Sequence, residues 1–149
     1  MPQPTKKLIR VLVVDDSSIV RQLVSNGLAQ HPEIEVVGEA VDGLDALTKI
    51  ARLRPDVVTL DVEMPRLNGI AVLERVVGKM PVKFLMVSTL TQSGAQVTFE
   101  ALRKGAIDYI TKPQTASKTA LPSFRRELHQ KVLAVARSLG TGRPWRPAW

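Results

Sequence analysis

The sequence contains no cysteine and only two histidines, His31 and His129. These absences exclude a disulfide framework, a cysteine nucleophile, and a zinc site built from cysteine or histidine. Although 44% of the 149 residues are apolar, no apolar window approaches the roughly 18 residues that a membrane span needs. The segment before Leu8 also lacks an apolar stretch of signal-peptide length. We therefore expect a cytoplasmic protein without a membrane span, folded as about one domain around one core.

Two common catalytic motifs are missing as well. The chain has no Gly-x-Ser-x-Gly turn, which would present a serine nucleophile, and no Gly-x-x-x-x-Gly-Lys loop, which would cradle the phosphates of a nucleotide. Hydrolase triads and P-loop nucleotide binding are therefore poor fits to this sequence.

The net charge of +7 is concentrated in the last part of the chain. Residues 1–113 carry 14 Lys and Arg against 13 Asp and Glu, whereas residues 114–149 carry 7 against 1. Two glycines and two prolines interrupt the last ten residues. A basic segment of this kind is typical of a solvated linker rather than of an arm that binds DNA, so we expect no nucleic-acid partner.

Apolar runs and amphipathic stripes alternate five times along the chain, which predicts an α/β fold: a doubly wound, five-stranded parallel sheet with helices on both faces. The strands are expected near residues 8–14, 34–40, 56–60, 82–87 and 107–110.

The helices are placed by their capping and turn residues. Four are expected after Ser17, Asp42-Gly43, Asn68-Gly69 and Ser93, and Gly105 should close the fourth. A fifth helix is expected over about 121–139. The chain then divides into one domain, residues 1–139, and a basic linker stub containing Pro and Gly, residues 140–149.

Polar side chains follow four of the five predicted strands. Asp15 and Asp16 end the first apolar run, Asp61 ends the third, Ser88 follows the fourth and Lys112 follows the fifth. Each has an ordinary explanation alone, as a helix cap, a turn hydroxyl or a solvated charge. Because ligands bind at the carboxyl ends of parallel strands, the five together predict a site. Three ionised carboxylates in one crevice repel one another and therefore favour a divalent cation, and an oxygen-only ligand set favours Mg²⁺.

These residues lie in motifs that resemble a known family. The motifs are Val-Val-Asp15-Asp16-Ser, Asp61-Val-Glu-Met-Pro-Arg-Leu-Asn-Gly69, Val-Ser88-Thr and Tyr109-Ile-Thr-Lys112-Pro113. In their order and spacing they resemble the receiver domain of two-component response regulators, over about residues 8–139. The resemblance implies the flavodoxin-like (β/α)5 receiver fold. Within the family, residues 87–98 and 105–114 are similar to the receiver of the chemotaxis protein-glutamate methylesterase (CheB).

The resemblance also implies a function for each site residue. Asp61 would accept the phosphoryl group from a chemotaxis-type histidine kinase or from acetyl phosphate. Asp15, Asp16, Asp61 and the backbone carbonyl of Glu63 would hold Mg²⁺. Lys112 would neutralise charge on the transferring group.

The same resemblance implies a conformational switch. Ser88 would donate a hydrogen bond to the phosphoryl group, and Tyr109 would turn inward as it does so. A cis peptide bond before Pro113 would place the Lys112 amine in the site, and Gly69 would relieve crowding after Asp61.

The resemblance to the methylesterases covers only their regulatory part, because no serine nucleophile motif is present. We therefore interpret the chain as a receiver covalently linked, in a longer protein, to a methylesterase domain that acts on chemoreceptors. The alternative is a free-standing single-domain response regulator that acts by protein contact.

Two other classes of protein also place acidic residues or phosphate ligands at strand ends. An aspartyl phosphatase fits less well because its nucleophile follows its first strand, whereas Asp61 follows the third. A flavin-binding module fits less well because Asp15-Asp16 would repel the phosphate of the cofactor.

Overall fold

The computed structural model describes residues 7–64, 66–89, 91–113 and 120–138. In these ranges strands and helices alternate from start to end. The strands are β1 (Ile9–Val14), β2 (Ile34–Ala40), β3 (Val57–Asp61), β4 (Lys83–Ser88) and β5 (Asp108–Thr111). The helices are α1 (Ser18–Ala29), α2 (Gly43–Leu53), α3 (Gly69–Val76), α4 (Gln92–Arg103) and α5 (Ala120–Arg137). The linker predicted over 140–149, and residue 139 before it, lie outside the described residues.

The strands form one parallel sheet in the order β2-β1-β3-β4-β5. This is the predicted doubly wound α/β architecture with the flavodoxin-like strand order. The order reverses at β1 and β3, so the loops that follow these two strands diverge and leave a crevice between them. The sheet thus places its crevice where the acidic residues of β1 and β3 lie. None of the helices in the described ranges is both long and apolar enough to cross a lipid bilayer.

Both faces of the sheet are buried, which explains the almost continuous apolar runs of its central strands. Successive side chains of a strand point to opposite faces. In β1, Val11 and Val13 belong to the core cluster under α1 and α5, whereas Leu12 and Val14 belong to the cluster under α2, α3 and α4. The fifth helix is confirmed as amphipathic: the buried side chains of α5 are Phe124, Leu128, Val132 and Val135.

Three predicted helix starts are confirmed by their side-chain caps. Ser17, Asp42 and Asn68 each accept the backbone N–H of the residue three positions later, at 3.3, 2.8 and 3.0 Å. Such a cap satisfies one of the amide groups that a first helical turn leaves without a partner.

The predicted cap of α4 is wrong. Thr91, not Ser93, precedes the helix, and its Oγ1 accepts the N–H of Gly94 at 2.9 Å. Ser93 therefore lies inside the first turn. Gly105 follows the helix as predicted, with a φ of 115° that favours glycine.

The carboxyl end of α5 is fixed to the amino-terminal edge of the sheet. The Nζ of Lys83, the first residue of β4, donates to the carbonyls of Ala136 and Ser138 at 2.9 and 2.7 Å. Arg137 pairs with Glu33 at 2.8 Å. The last carbonyls of a helix have no partner within the helix, and a lysine ammonium satisfies them well. These contacts hold the end of α5 at the edge opposite to the acidic residues.

Replacing Thr59 with Val should stabilise the domain. Thr59 lies in β3 with 1% of its surface exposed, and its hydroxyl has no hydrogen-bond partner among the described residues. An unsatisfied buried hydroxyl costs free energy, and valine has nearly the same shape. We expect the free energy of unfolding to rise by about 1 kcal/mol, measured by urea denaturation.

Thr98→Val is the matched control. Thr98 is 5% exposed, but its hydroxyl donates to the carbonyl of Gly94 at 2.7 Å. This substitution removes a satisfied hydrogen bond, so it should give no stabilisation. A loss of stability in the Thr59 variant equal to that of the Thr98 variant would contradict the prediction.

Candidate functional site

Three carboxylates meet at the carboxyl ends of β1 and β3. One oxygen from each of Asp15, Asp16 and Asp61 lies within 4.8 Å of the other two. They meet because β1 and β3 pair directly, with Val14 opposite Leu60, so the residues that follow are neighbours. Asp15 and Asp61 are each 2% exposed, whereas Asp16 is exposed to solvent. The structure thus brings together the three acidic residues predicted from the sequence.

Lys112 reaches the same carboxylates from β5. Its Nζ lies 3.2 Å from Oδ1 of Asp61 and 3.4 Å from Oδ2 of Asp15. Its backbone N–H donates to the carbonyl of Ser88 at 2.8 Å, which fixes the start of the side chain beside β4. The peptide bond between Lys112 and Pro113 is trans, so the predicted cis bond is wrong. The lysine side chain, with four methylene groups, reaches the carboxylates from a trans backbone.

The electrostatics of the site disfavour the ionisation of Asp15 and Asp61 at the same time. Burial, with the charge of Asp15, raises the pKa of Asp61 to about 7, against the opposing effect of Lys112. Burial also raises the pKa of Asp15. For Lys112 burial lowers the pKa, but the charges of Asp61 and Asp15 outweigh it and the net pKa is raised. One ammonium therefore does not compensate the acidic residues fully, and a further positive charge would be bound favourably.

The residues present fit Mg²⁺. The available donors are carboxylate oxygens, the ligands that hard cations prefer. Asp16 and Glu63 line an open cleft of about 660 Å³, which gives an ion a path from solvent. The N–H of Glu63 donates to Oδ1 of Asp61 at 3.2 Å, so the backbone at Glu63 lies close to the carboxylate. Its predicted contribution through the carbonyl oxygen stays a prediction.

Ser88 and Tyr109 border a cavity that lies on the β4 side of Asp61, away from β1. Asp61 lies opposite Val87 of β4, and Ser88 follows with 4% of its surface exposed. Ser88 and Tyr109 line a cavity of about 330 Å³ under α4. The Tyr109 ring does not fill this cavity and is 41% exposed. The structure therefore shows an outward tyrosine beside space that an inward ring could occupy.

Lys131 of α5 contacts the same tyrosine, and sequence reasoning missed it. Its Nζ lies 4.9 Å from the centroid of the Tyr109 ring and donates to the carbonyl of Tyr109 at 2.5 Å. An ammonium over an aromatic face is attracted to it. No local pattern connects residues 22 positions apart, and Lys131 looks like any solvated lysine of an amphipathic helix.

Comparisons with known proteins agree with this geometry. The family described as the response regulator receiver domain matches residues 11–121. A protein-glutamate methylesterase/protein-glutamine glutaminase of Geobacter sulfurreducens is 51% identical over 97% of this chain, which covers 40% of that protein. The corresponding protein of Thermotoga maritima is 46% identical over 86% of this chain and 37% of its own length. The chain thus spans about two fifths of the curated relatives that it matches.

A solved structure adds the fold to these similarities. The crystal structure of the response regulator domain of Thermotoga maritima CheB superposes with a TM-score of 0.78 at 44% identity, covering 89% of this chain and 98% of that one. The resemblance predicted from the motifs, to receivers and among them to the CheB receiver, is confirmed. The chain belongs to the response regulator receiver domain family, and its similar relatives include proteins of the CheB kind.

Proposed function

We propose that this chain accepts a phosphoryl group on Asp61 from a chemotaxis-type histidine kinase, with Mg²⁺ in the site. The observation that carries the proposal is the central position of Asp61. Its strand, β3, pairs with β1 on one side and with β4 on the other, so its carboxylate has Asp15 and Asp16 to one side and Ser88 to the other. Lys112 contacts the same carboxylate.

The proposed reaction is an attack by a carboxylate oxygen of Asp61 on the phosphorus atom of the donor. The oxygen–phosphorus bond forms as the phosphorus–nitrogen bond of a phosphohistidine breaks, and the imidazole leaves with its electron pair and takes up a proton from solvent. Asp15, Asp16, Asp61 and the Glu63 carbonyl would hold Mg²⁺, whose charge would offset the charge on the phosphoryl oxygens. Lys112 neutralises charge on the same oxygens from the β5 side, and the Ser88 hydroxyl donates a hydrogen bond to one of them.

We further propose that the receiver regulates an output domain joined to it in a longer cytoplasmic protein. The relatives carry the name of a methylesterase and glutaminase, and this chain matches only part of them. The output enzyme would be a methylesterase, and its substrates would be chemoreceptors. A free-standing regulator that acts by contact is the second candidate, favoured by the exposure of Phe99 and Tyr109 around α4 and β5.

Intact mass spectrometry after treatment with acetyl phosphate and Mg²⁺ tests the proposed function. The 149-residue chain should gain the mass of one phosphoryl group, and EDTA in place of Mg²⁺ should prevent the gain. Unchanged mass under conditions that label a known receiver would refute the proposal.

Phosphorylation should also change the environment of Tyr109. If the Tyr109 ring turned inward, it would occupy the cavity beside Ser88 and lose its contact with Lys131. A phosphoryl group that interacts a few kcal/mol better with the inward arrangement would shift the population toward that arrangement. Hydrogen exchange should therefore change in peptides covering 88–111 when beryllofluoride, a phosphoryl mimic, is added with Mg²⁺. The Asp61→Asn variant is the control and should show no change. Effects confined to the loops at Asp15, Asp61 and Lys112 would rule out the switch.

A further inference from the structure

We propose that Asp42 and Gly43 position the metal and phosphoryl site, although neither contacts it. They lie at the start of α2 and hold the loop between β3 and α3, which we call the β3–α3 loop and of which the structure describes residues 62–64 and 66–68. This loop carries Glu63, so the position of the loop sets the position of the Glu63 backbone. The inference rests on the proposed function and deepens it by adding two residues outside the ligand set.

The first contact is a close approach of two backbones. A Cβ atom at Gly43 would lie 2.0 Å from the carbonyl oxygen of Leu67 and 2.7 Å from its Cβ. Real Cβ atoms do not approach backbone oxygens so closely, and a backbone carbonyl cannot rotate away as a flexible side chain can. Any residue other than glycine at this position must therefore displace the β3–α3 loop.

The second contact is an ion pair to the same loop. Oδ1 of Asp42 accepts the N–H of Asp45 as the cap of α2, while Oδ2 lies 3.3 Å from Nη1 of Arg66. The Asp42 carboxylate is buried, which makes a positive partner valuable. Arg66 has a φ of 70°, in the left-handed region that costs a non-glycine residue energy. The ion pair offsets part of this cost and favours the observed loop conformation.

The start of the loop and the first residue of α3 are in contact with the phosphoacceptor. Glu63 donates its N–H to Asp61, and a Cβ at Gly69 would lie 2.8 Å from the carbonyl oxygen of Asp61. The loop that contains Arg66 and Leu67 is therefore held at one side by Asp61 and at the other by the start of α2. Because Leu67 follows Glu63 by only four residues in this loop, we expect a displacement forced at Leu67 to move the Glu63 backbone.

The magnesium affinity of the 149-residue chain tests this inference and is measured by calorimetric titration with MgCl2 at constant ionic strength. Residues that orient metal ligands typically change affinity by about 10–100-fold when replaced. We expect Gly43→Ala to raise the dissociation constant about tenfold or more. Asp42→Asn keeps an oxygen to cap α2 but loses the charge that pairs with Arg66, so a smaller increase of about threefold or more is expected.

Arg137→Gln is the matched control, since it breaks a surface ion pair at the opposite edge of the sheet. Its dissociation constant should stay within about twofold of the wild type. Melting temperatures are recorded in parallel. If the Gly43 and Asp42 variants melt lower but bind Mg²⁺ as the wild type does, both residues are merely structural and the inference is overturned.

The remaining outcomes also decide the question. If Gly43→Ala does not fold, the titration of Asp42→Asn alone supports or overturns the inference. If the wild type binds Mg²⁺ and is phosphorylated but both variants have unchanged affinity, Asp42 and Gly43 do not position the site. The proposed function then remains intact. A wild type that gains no phosphoryl group refutes the proposed function instead, and one that binds no Mg²⁺ overturns the inference as well.

Discussion

Asp61→Asn should abolish phosphorylation by acetyl phosphate, with a loss of about a hundredfold or more in the labelling rate. The asparagine amide has nearly the shape of the carboxylate but no anionic oxygen to attack phosphorus. The fold should survive, because Asp61 ends β3 and a neutral side chain there relieves the repulsion from Asp15 that helps to raise its pKa. The rate is measured from the intact mass over time.

Asp108→Asn is the control for this experiment. Asp108 starts β5 with a side chain that is 42% exposed, outside the cluster of acidic residues. This variant should be labelled at the wild-type rate. Labelling of the Asp61 variant at its original rate would show that another acidic residue is the phosphoacceptor.

Magnesium should bind about tenfold more weakly at pH 6 than at pH 8. The pKa of Asp61 is raised to about 7, first by burial and then by the charge of Asp15. A metal ligand must be deprotonated, so below pH 7 the cation has to displace a proton from this pair of buried acids. Calorimetric titrations at the two pH values, in buffers of different ionisation enthalpy, measure both the affinity and the protons released.

The same raised pKa determines whether the metal-free domain becomes more or less stable as the pH rises. In the unfolded chain Asp61 has its ordinary pKa of 3.8, whereas in the folded protein its pKa is about 7. Between these values the folded state binds more protons, so the contribution of Asp61 to the free energy of unfolding falls as the pH rises and levels off above about 7.

Asp61→Asn is the control for both pH effects. Its magnesium binding should be weaker at every pH but should depend on pH much less than that of the wild type. Equal affinities of the wild type at pH 6 and pH 8 would contradict the prediction.

The fold was predictable because the strong signals of this sequence are local. The central strands are buried on both faces and therefore appear as short apolar runs, and their observed bounds differ from the predicted ones by at most one residue. The acidic residues were predictable as a cluster for the same reason: each directly follows or ends such a run. Parallel pairing then brings Asp15 and Asp61 together without further information.

The details that sequence reasoning missed depend on contacts between distant residues or on a choice between similar neighbours. Thr91 and Ser93 both offer a hydroxyl for the start of α4, and only the backbone path decides between them. The proximity of Lys131 to Tyr109 depends on how α5 packs beside β5. The pair of Asp42 with Arg66 joins two loops that no periodic pattern connects.

The hydrogen bonds from Lys83 to the end of α5 fix how far that end lies from the acidic crevice. Lys83 and Ser88 are the two ends of β4, and a strand of six residues spans about 17 Å between its terminal Cα atoms. The Ser138 carbonyl, which accepts from Lys83, therefore lies about that far from the acidic crevice, at the amino-terminal edge of the sheet. A bulky phosphoryl donor that enters the crevice therefore approaches the end of β4 that is opposite to the one holding Ser138, and it need not disturb the contacts of Lys83.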